Sequence, residues 1–468
     1  MTRARAPASP PVARELLWPA APALAAAALA AVVAGVFAVR DPAATIALAA
    51  ACALGALVLA DVTVGLRVFT VLAFFEVLPG AGGLSVAKLA GAALLFSWLV
   101  TGAPDAARSR RFAAEHAGAA ALAVVFLAWV LASAAWAERP ADAFGAVVRY
   151  APNLALLPIA FAAVRTRSHG PAFAAAFIAG ALLSATYGLA AGAPAGSAAG
   201  FSRLDGAGVD PNILAMALVA ALALSVALAA RPGARAAGRG LAAVAGLACL
   251  TALLLTGSRG GLVGLAAMLV CGVALAGRGR RVAAGLLAAC VLAGAAVYVL
   301  QLAPAATRER IVHPSGGSGR ADLWRVGLRV VAHHPLLGVG AGNFPGSTVH
   351  ELLAPGAITR SQYIVDTPKV AHNVYLEVQA ELGVPGLAMF LALIAFSLAC
   401  CRSAWRRCAA SADTGGDVLA RGVAVAISAM LAAEVFVSQE FNKPLWLLLA
   451  VAPALRAVAS QPVYPAAA

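Results

Sequence analysis

Apolar runs of about twenty residues follow one another along nearly the whole chain, each long enough to cross a hydrocarbon core roughly 30 Å thick. Such runs fold as helices, because in lipid only internal hydrogen bonds can satisfy the backbone. Composition agrees: 62% of the 468 residues are hydrophobic and 12% charged, against about 45–50% and about 25% in soluble domains. An ordinary soluble enzyme is excluded. The expected fold is an all-α polytopic transmembrane bundle, with residues 1–468 forming a single integral membrane domain.

Fourteen spans are expected, near 17–39, 43–60, 63–79, 84–101, 117–136, 146–164, 171–190, 212–230, 241–256, 260–277, 282–302, 383–401, 418–436 and 444–459. The N-terminal run after Arg3 and Arg5 has full spanning length and no clear cleavage site, so it reads as the first span rather than as a signal peptide. The formal charge of +14 comes from arginines scattered singly or in twos and threes between apolar runs. That scatter marks topology and is no nucleic-acid face. Short loops retain Lys and Arg on the cytoplasmic side. Arg14, Arg108, Arg110, Arg111, Arg165, Arg167, Arg231, Arg235, Arg239, Arg278, Arg280, Arg281, Arg402, Arg406 and Arg407 all fall on one side under this count. Both termini then face the cytoplasm. The seven cysteines lie in spans or on a flank and form no disulfide framework or CxxC metal motif.

The opposite side receives the loop at 191–211, the turn around Arg259, the turn at 437–443 and the long segment 303–382, which holds five of the seven histidines. A segment of that length is a functional candidate. Arg203 stands in Phe201-Ser202-Arg203-Leu204-Asp205-Gly206, ahead of a helix start marked by Asp210 and Pro211. Its plainer alternative is an interfacial arginine paired with Asp205 or Asp210. Arg259 occupies a Thr256-Gly257-Ser258-Arg259-Gly260-Gly261 turn too tight to carry it away from the membrane edge. A guanidinium there is costly unless it meets an anion or snorkels. Arg320, Arg325 and Arg329 follow one another at helical spacing, as a phosphate-binding set or as a solvated basic face. Gly338 to Asn343 looks like a phosphate-cradling loop, but lacks the strand and helix such a loop needs and reads as a turn. His372-Asn373 closes the segment. His372, Leu376 and Gln379 are expected on one helical face, and a structural histidine is the bland alternative.

Taken in order, Ser258-Arg259-Gly260, Arg320 to Trp324, Gly338 to Gly342 and His372-Asn373 resemble the pattern of the O-antigen ligase and polymerase family, and Arg203 with Gly206 and Asn212 matches its preceding outer loop. The resemblance covers roughly residues 200–400; typical ligases are expected to have twelve spans rather than fourteen. It implies a lipopolysaccharide-building glycosyltransferase of the bacterial inner membrane with a periplasmic active site. The implied donor is an undecaprenyl-diphosphate-linked glycan, and the implied acceptor is lipid A core or another glycan. Polymerisation of repeat units and transfer to a protein hydroxyl remain open alternatives.

Membrane lipids are the implied surroundings, and no cofactor, nucleotide sugar, metal or nucleic acid is expected. Within this reading Arg203 and Arg259 stabilise the diphosphate, with Arg320, Arg325 and Asn373 as further binding residues. His372 is the general base, and Asn373, Glu377 or Glu381 orients it. Direct attack inverts the anomeric centre. A metal site from His333, His334, His350, Asp366 and His372 is the rival chemistry. A lipid-glycan flippase, using Arg67, Glu76, Lys88, Arg149 and Glu434 inside spans, is the rival of another class.

Overall fold

The computed structural model describes residues 55–76, 85–101, 106–191, 203–312, 320–353 and 369–461. Among these, all regular structure is helical. The first half comprises α1 (Val62–Leu72), α2 (Val86–Thr101), α3 (Ala106–Glu115), α4 (Ala117–Ala132), α5 (Pro140–Ala163), α6 (His169–Ala191), α7 (Pro211–Ala229) and α8 (Ala236–Leu255). Then follow α9 (Arg259–Leu275), α10 (Arg281–Val297), the short α11 (Ala305–Val312), α12 (Arg320–His333) and α13 (Phe344–Leu353), and finally α14 (Val374–Ala410), α15 (Thr414–Ala433) and α16 (Lys443–Val458).

Eight helical stretches among the described residues are long and apolar enough to cross a membrane, and Val62–Leu72, Val86–Val100 and Arg259–Leu275 are shorter apolar helices. Each expected span from 63–79 onward coincides with a helix, with ends shifted by several residues. The expected span at 17–39, and all but the end of that at 43–60, lie outside the described residues. Large apolar side chains such as Val124, Val148, Leu241, Val270 and Val282 are exposed along the helices, as a lipid-facing surface requires.

The middle of the bundle is formed by α7 and α15, the most enclosed of these long helices, while α10 lies at the periphery. Without a hydrophobic drive between helices in lipid, close backbone approach holds such bundles together. The α9–α15 contact shows how the sequence supplies it. A Cβ on Gly264 would stand 3.0 Å from the Ala429 carbonyl and 3.2 Å from the Ala433 methyl, so a larger residue would push the helices apart.

Several of the arginine-bearing segments meet at one end of the bundle. There Arg167 pairs with Asp413 and donates to the Gln461 carbonyl at 2.8 Å, Gln461 donates to the Arg165 carbonyl at 3.0 Å, and Arg421 donates to the Leu275 carbonyl at 2.6 Å. Residues 203–210, the turn at 256–258, α12, α13 and the start of α14 gather at the other end. Glu76 also lies there, paired with Lys443 and bound through its N–H to the Ala207 carbonyl at 3.1 Å. The expected helix to residue 79 therefore stops at Leu72, where the chain turns to meet that loop.

The last polar segment joins the bundle differently from the sequence expectation of a span beginning at 383. The helix begins at Val374 and is broken inside at Gly383, whose φ of 68° and ψ of −173° few residues other than glycine adopt. A Cβ there would lie 2.0 Å from the Leu336 carbonyl oxygen. The break frees carbonyls that the glycine turn then uses: Val339 N–H donates to Ala380 at 2.9 Å and Gly340 N–H to Glu381 at 2.9 Å. Trp129 Nε1 takes the Leu382 carbonyl at 2.9 Å. Residues 338–343 form the turn expected of them, with Gly338, Gly340 and Gly342 all at positive φ.

Candidate functional site

The site grows from one helix start. Asp210 caps α7, accepting from Asn212 N–H at 2.7 Å, with Pro211 in the first turn. Asn212 is thereby fixed with its side-chain amide donating to the same Asp210 oxygen, also at 2.7 Å, so its carbonyl oxygen faces outward as an acceptor. Two donors meet there: Arg203 Nη2 at 3.1 Å and Ser258 Oγ at 2.8 Å. Arg203 Nε also donates to the Thr256 carbonyl at 2.8 Å. Leu204 N–H holds the Leu255 carbonyl at 3.2 Å, which lays the segment from Arg203 onward along the end of α8.

The turn between α8 and α9 completes the arrangement. Gly257 (φ 56°) reverses the chain, and Ser258 caps α9 by accepting from Gly261 N–H at 3.1 Å. Arg259 is then the first residue of α9, half-buried, and makes no hydrogen bond or ion pair among the described residues. A cation at the positive end of a helix is unfavourably placed unless an anion joins it, and free helical N–H groups are themselves anion donors. A Cβ on Gly257 would lie 3.9 Å from Arg203 Nε, two residues before Arg259. The two arginines thus border one turn.

Trp324 carries α12 to the other side of the site, its Nε1 donating to the Ala371 carbonyl at 3.1 Å and its ring lying 5.9 Å from that of Phe436. Arg320, one helical turn before Trp324 and half-buried, is brought within electrostatic reach of His372. Arg325 points elsewhere: it is exposed and pairs with Asp322 at 3.0 Å. His372 is half-buried, and burial holds its pKa below the usual histidine value. Arg320 and Lys369 push in the same direction, while Asp210 opposes them. A ring kept neutral is the form that accepts a proton. The reach of Asp210 also ties His372 to the helix start that anchors Arg203.

His372 is not on the helix face shared with Leu376 and Gln379. It precedes the helix at φ 50°, and Asn373 is the cap, its Oδ1 accepting from Tyr375 N–H at 3.0 Å and Leu376 N–H at 3.1 Å. Asn373 therefore spends its oxygen on the fold, and its Nδ2 makes no hydrogen bond among the described residues. The other histidines of the segment are placed otherwise. His333 pairs with Glu351 at 2.8 Å and His334 is exposed, while His313 and Asp366 lie outside the described residues. Among the described residues no group of three or more His, Cys, Asp or Glu is placed to hold a metal ion.

Asn212, the acceptor that joins Arg203 to the Ser258 turn, carries more of the site than its sequence signal suggested. The Asp-Pro-Asn order at a helix start and the resemblance of the preceding loop hinted at Asn212, but not at its role as the shared acceptor. A second unanticipated feature is a set of buried acids, Glu377, Glu381, Glu434 and Glu440, of which Glu434 has neither carboxyl oxygen hydrogen-bonded among the described residues. Burial raises the Glu440 carboxyl above the usual range, opposed by Arg149.

The structure is thus a polytopic helical bundle with arginines around one helix start and a histidine of lowered pKa at the same end. A family model described as O-antigen ligase matches residues 242–391, about a third of the chain, and supports an O-antigen ligase-family assignment. The match supports a ligase- or polymerase-type, glycosyltransferase-like function in general. The match contains Arg259, Arg320, Arg325, His372 and Asn373, and Arg203 lies before it. No curated protein matches the chain.

Proposed function

We propose that the chain transfers a glycan from an undecaprenyl diphosphate carrier to a sugar hydroxyl of lipid A core, at the periplasmic face of a bacterial inner membrane. One observation supports this most: Arg203 is bonded into the turn that presents Arg259, unpaired among the described residues, at a helix N-terminus. The diphosphate fits that arrangement, since guanidinium forks and helical N–H groups both bind phosphate oxygens.

In the reaction the acceptor oxygen attacks the anomeric carbon while the bond from that carbon to the diphosphate oxygen breaks. The acceptor proton passes to a ring nitrogen of His372, and the electron pair leaves with the diphosphate. Arg203 and Arg259 stabilise that developing charge, with Arg320 completing the set beside His372. Arg320 also favours the neutral ring before transfer. Attack is direct, without a covalent intermediate or a metal, so the anomeric configuration inverts. Asn373 Nδ2 is the donor left to contact the glycan, and exposed Arg325 lies at the margin of the site.

The test uses purified full-length protein in nanodiscs, with a polyprenyl-diphosphate glycan of known anomeric configuration, an acceptor oligosaccharide and excess chelator. An inverted product linkage by NMR is expected. A retained linkage would reject direct attack, and loss of transfer in chelator would reject the metal-free mechanism.

A further inference from the structure

His372 holds a left-handed backbone conformation (φ 50°) that residues other than glycine keep only when their surroundings fix it. Both flanking amides are fixed here. Ala371 N–H donates to Glu377 Oε2 at 3.2 Å, and Asn373 N–H donates to Ser438 Oγ at 3.2 Å. The Ser438 hydroxyl in turn stands beside the Glu377 carboxyl, close enough to stabilise its charge. Two arms, one from each side of His372, therefore end on a single carboxyl group, and that group is 3% exposed. Neither arm touches the imidazole ring. Glu381, one turn further along α14, is engaged elsewhere: its two oxygens accept from Gly342 N–H at 2.7 Å and Phe344 N–H at 3.2 Å. Of the two acids on this helix, only Glu377 holds the backbone at His372.

We propose that Glu377, with Ser438 as its second arm, is a positioning residue that clamps the backbone on both sides of His372 and so aims the ring at the acceptor hydroxyl. This rests on His372 being the general base. A carboxyl suits the role because it offers separate acceptor oxygens to an amide and to a hydroxyl, which an amide side chain cannot do. A buried clamp also lets the ring stay half-exposed to substrate while its backbone stays fixed.

The test compares Glu377→Ala, Glu377→Gln, Ser438→Ala and Ser438→Thr in the full chain in nanodiscs. Hydrogen exchange of a peptide covering residues 369–376 should quicken about tenfold in Glu377→Ala, the size expected for loss of one typical hydrogen bond. Ser438→Ala should loosen the Asn373 side alone, Ser438→Thr should restore it, and Glu377→Gln should fall between wild type and Glu377→Ala. Single-turnover transfer by Glu377→Ala should drop about 10–100-fold with the donor KM within about threefold of wild type, a loss confined to the chemical step. Adding Glu377→Ala to His372→Gln should cost nothing further, because a residue acting through His372 has nothing left to position. Unchanged exchange in Glu377→Ala would overturn the clamp, as would an equal loss of rate in both backgrounds. Full activity of His372→Gln alone would instead refute the general-base reading, and the exchange comparison would still decide whether the clamp exists.

Discussion

Replacing Asn212 by Ala removes the acceptor on which the arginine site is built. The variant loses the bonds from Arg203 Nη2 (3.1 Å) and Ser258 Oγ (2.8 Å) and the donor to Asp210 (2.7 Å). Arg203 and Asp210 are partly exposed and can turn to water, so their losses cost little stability. Ser258 is buried, and leaving its hydroxyl unsatisfied costs about 1–3 kcal/mol. Catalysis should suffer more. Arg203 would lose its bond to Asn212 while its Nε bond to the Thr256 carbonyl stays, which loosens the hold on the fork that borders Arg259. Loss of one preorganised charge-stabilising donor costs about 10²–10³-fold in rate, and about 10²-fold is expected. Ser258→Ala is the control. It removes a helix cap worth about 1 kcal/mol but leaves Arg203 on Asn212, so it should match the loss in thermal stability while staying within about tenfold of wild-type transfer, less than a donor loss costs. The assay is single-turnover transfer from a fluorescent polyprenyl-diphosphate glycan, with melting temperature measured in parallel. Wild-type transfer by Asn212→Ala, alongside an inactive Arg203→Ala, would show that Arg203 is positioned by something else.

Arg259→Ala should leave the melting temperature unchanged or raised, since Arg259 makes no described contact and sits at a positive helix end, yet it should abolish donor binding; Arg259→Lys, with charge but no fork, should recover only a small part of that binding. Single cysteines at exposed Glu309 and His334 should react with a membrane-impermeant thiol reagent applied outside, and those at Arg235 and Arg280 should not; the reverse pattern would invert the topology. Because the folded pKa of His372 lies below its ordinary value of 6.5, the active neutral ring should persist at pH 6.5 and activity should fall only as pH drops below it; an acid limb centred above 6.5 would contradict that environment.

Much of this fold was legible because lipid imposes a pattern on sequence: apolar length marks the helices from Val62 onward, and the short loops carrying Arg165, Arg231 and Arg407 sort to one end. The turn at Ser258-Arg259-Gly260 was legible for the same reason, as a charge with no room to leave the membrane edge. The break at Gly383 was hidden inside an apolar run whose composition does not change there, since a left-handed residue leaves no mark on hydropathy. His372 was misplaced onto the helix because spacing alone does not reveal that Asn373 caps it. The role of Asn212 depends on partners 9 and 46 positions away, and Glu377 and Glu381 were interchangeable until the glycine turn claimed one of them.

The most direct test of the site is His372→Gln, measured in single turnover with donor binding determined separately. General bases contribute about 10²–10⁴-fold. The expected result is a loss of transfer in that range, with donor affinity and melting temperature close to wild type. Transfer within about threefold of wild type would contradict His372 as the base, and parallel loss of donor binding would reduce it to part of the binding site.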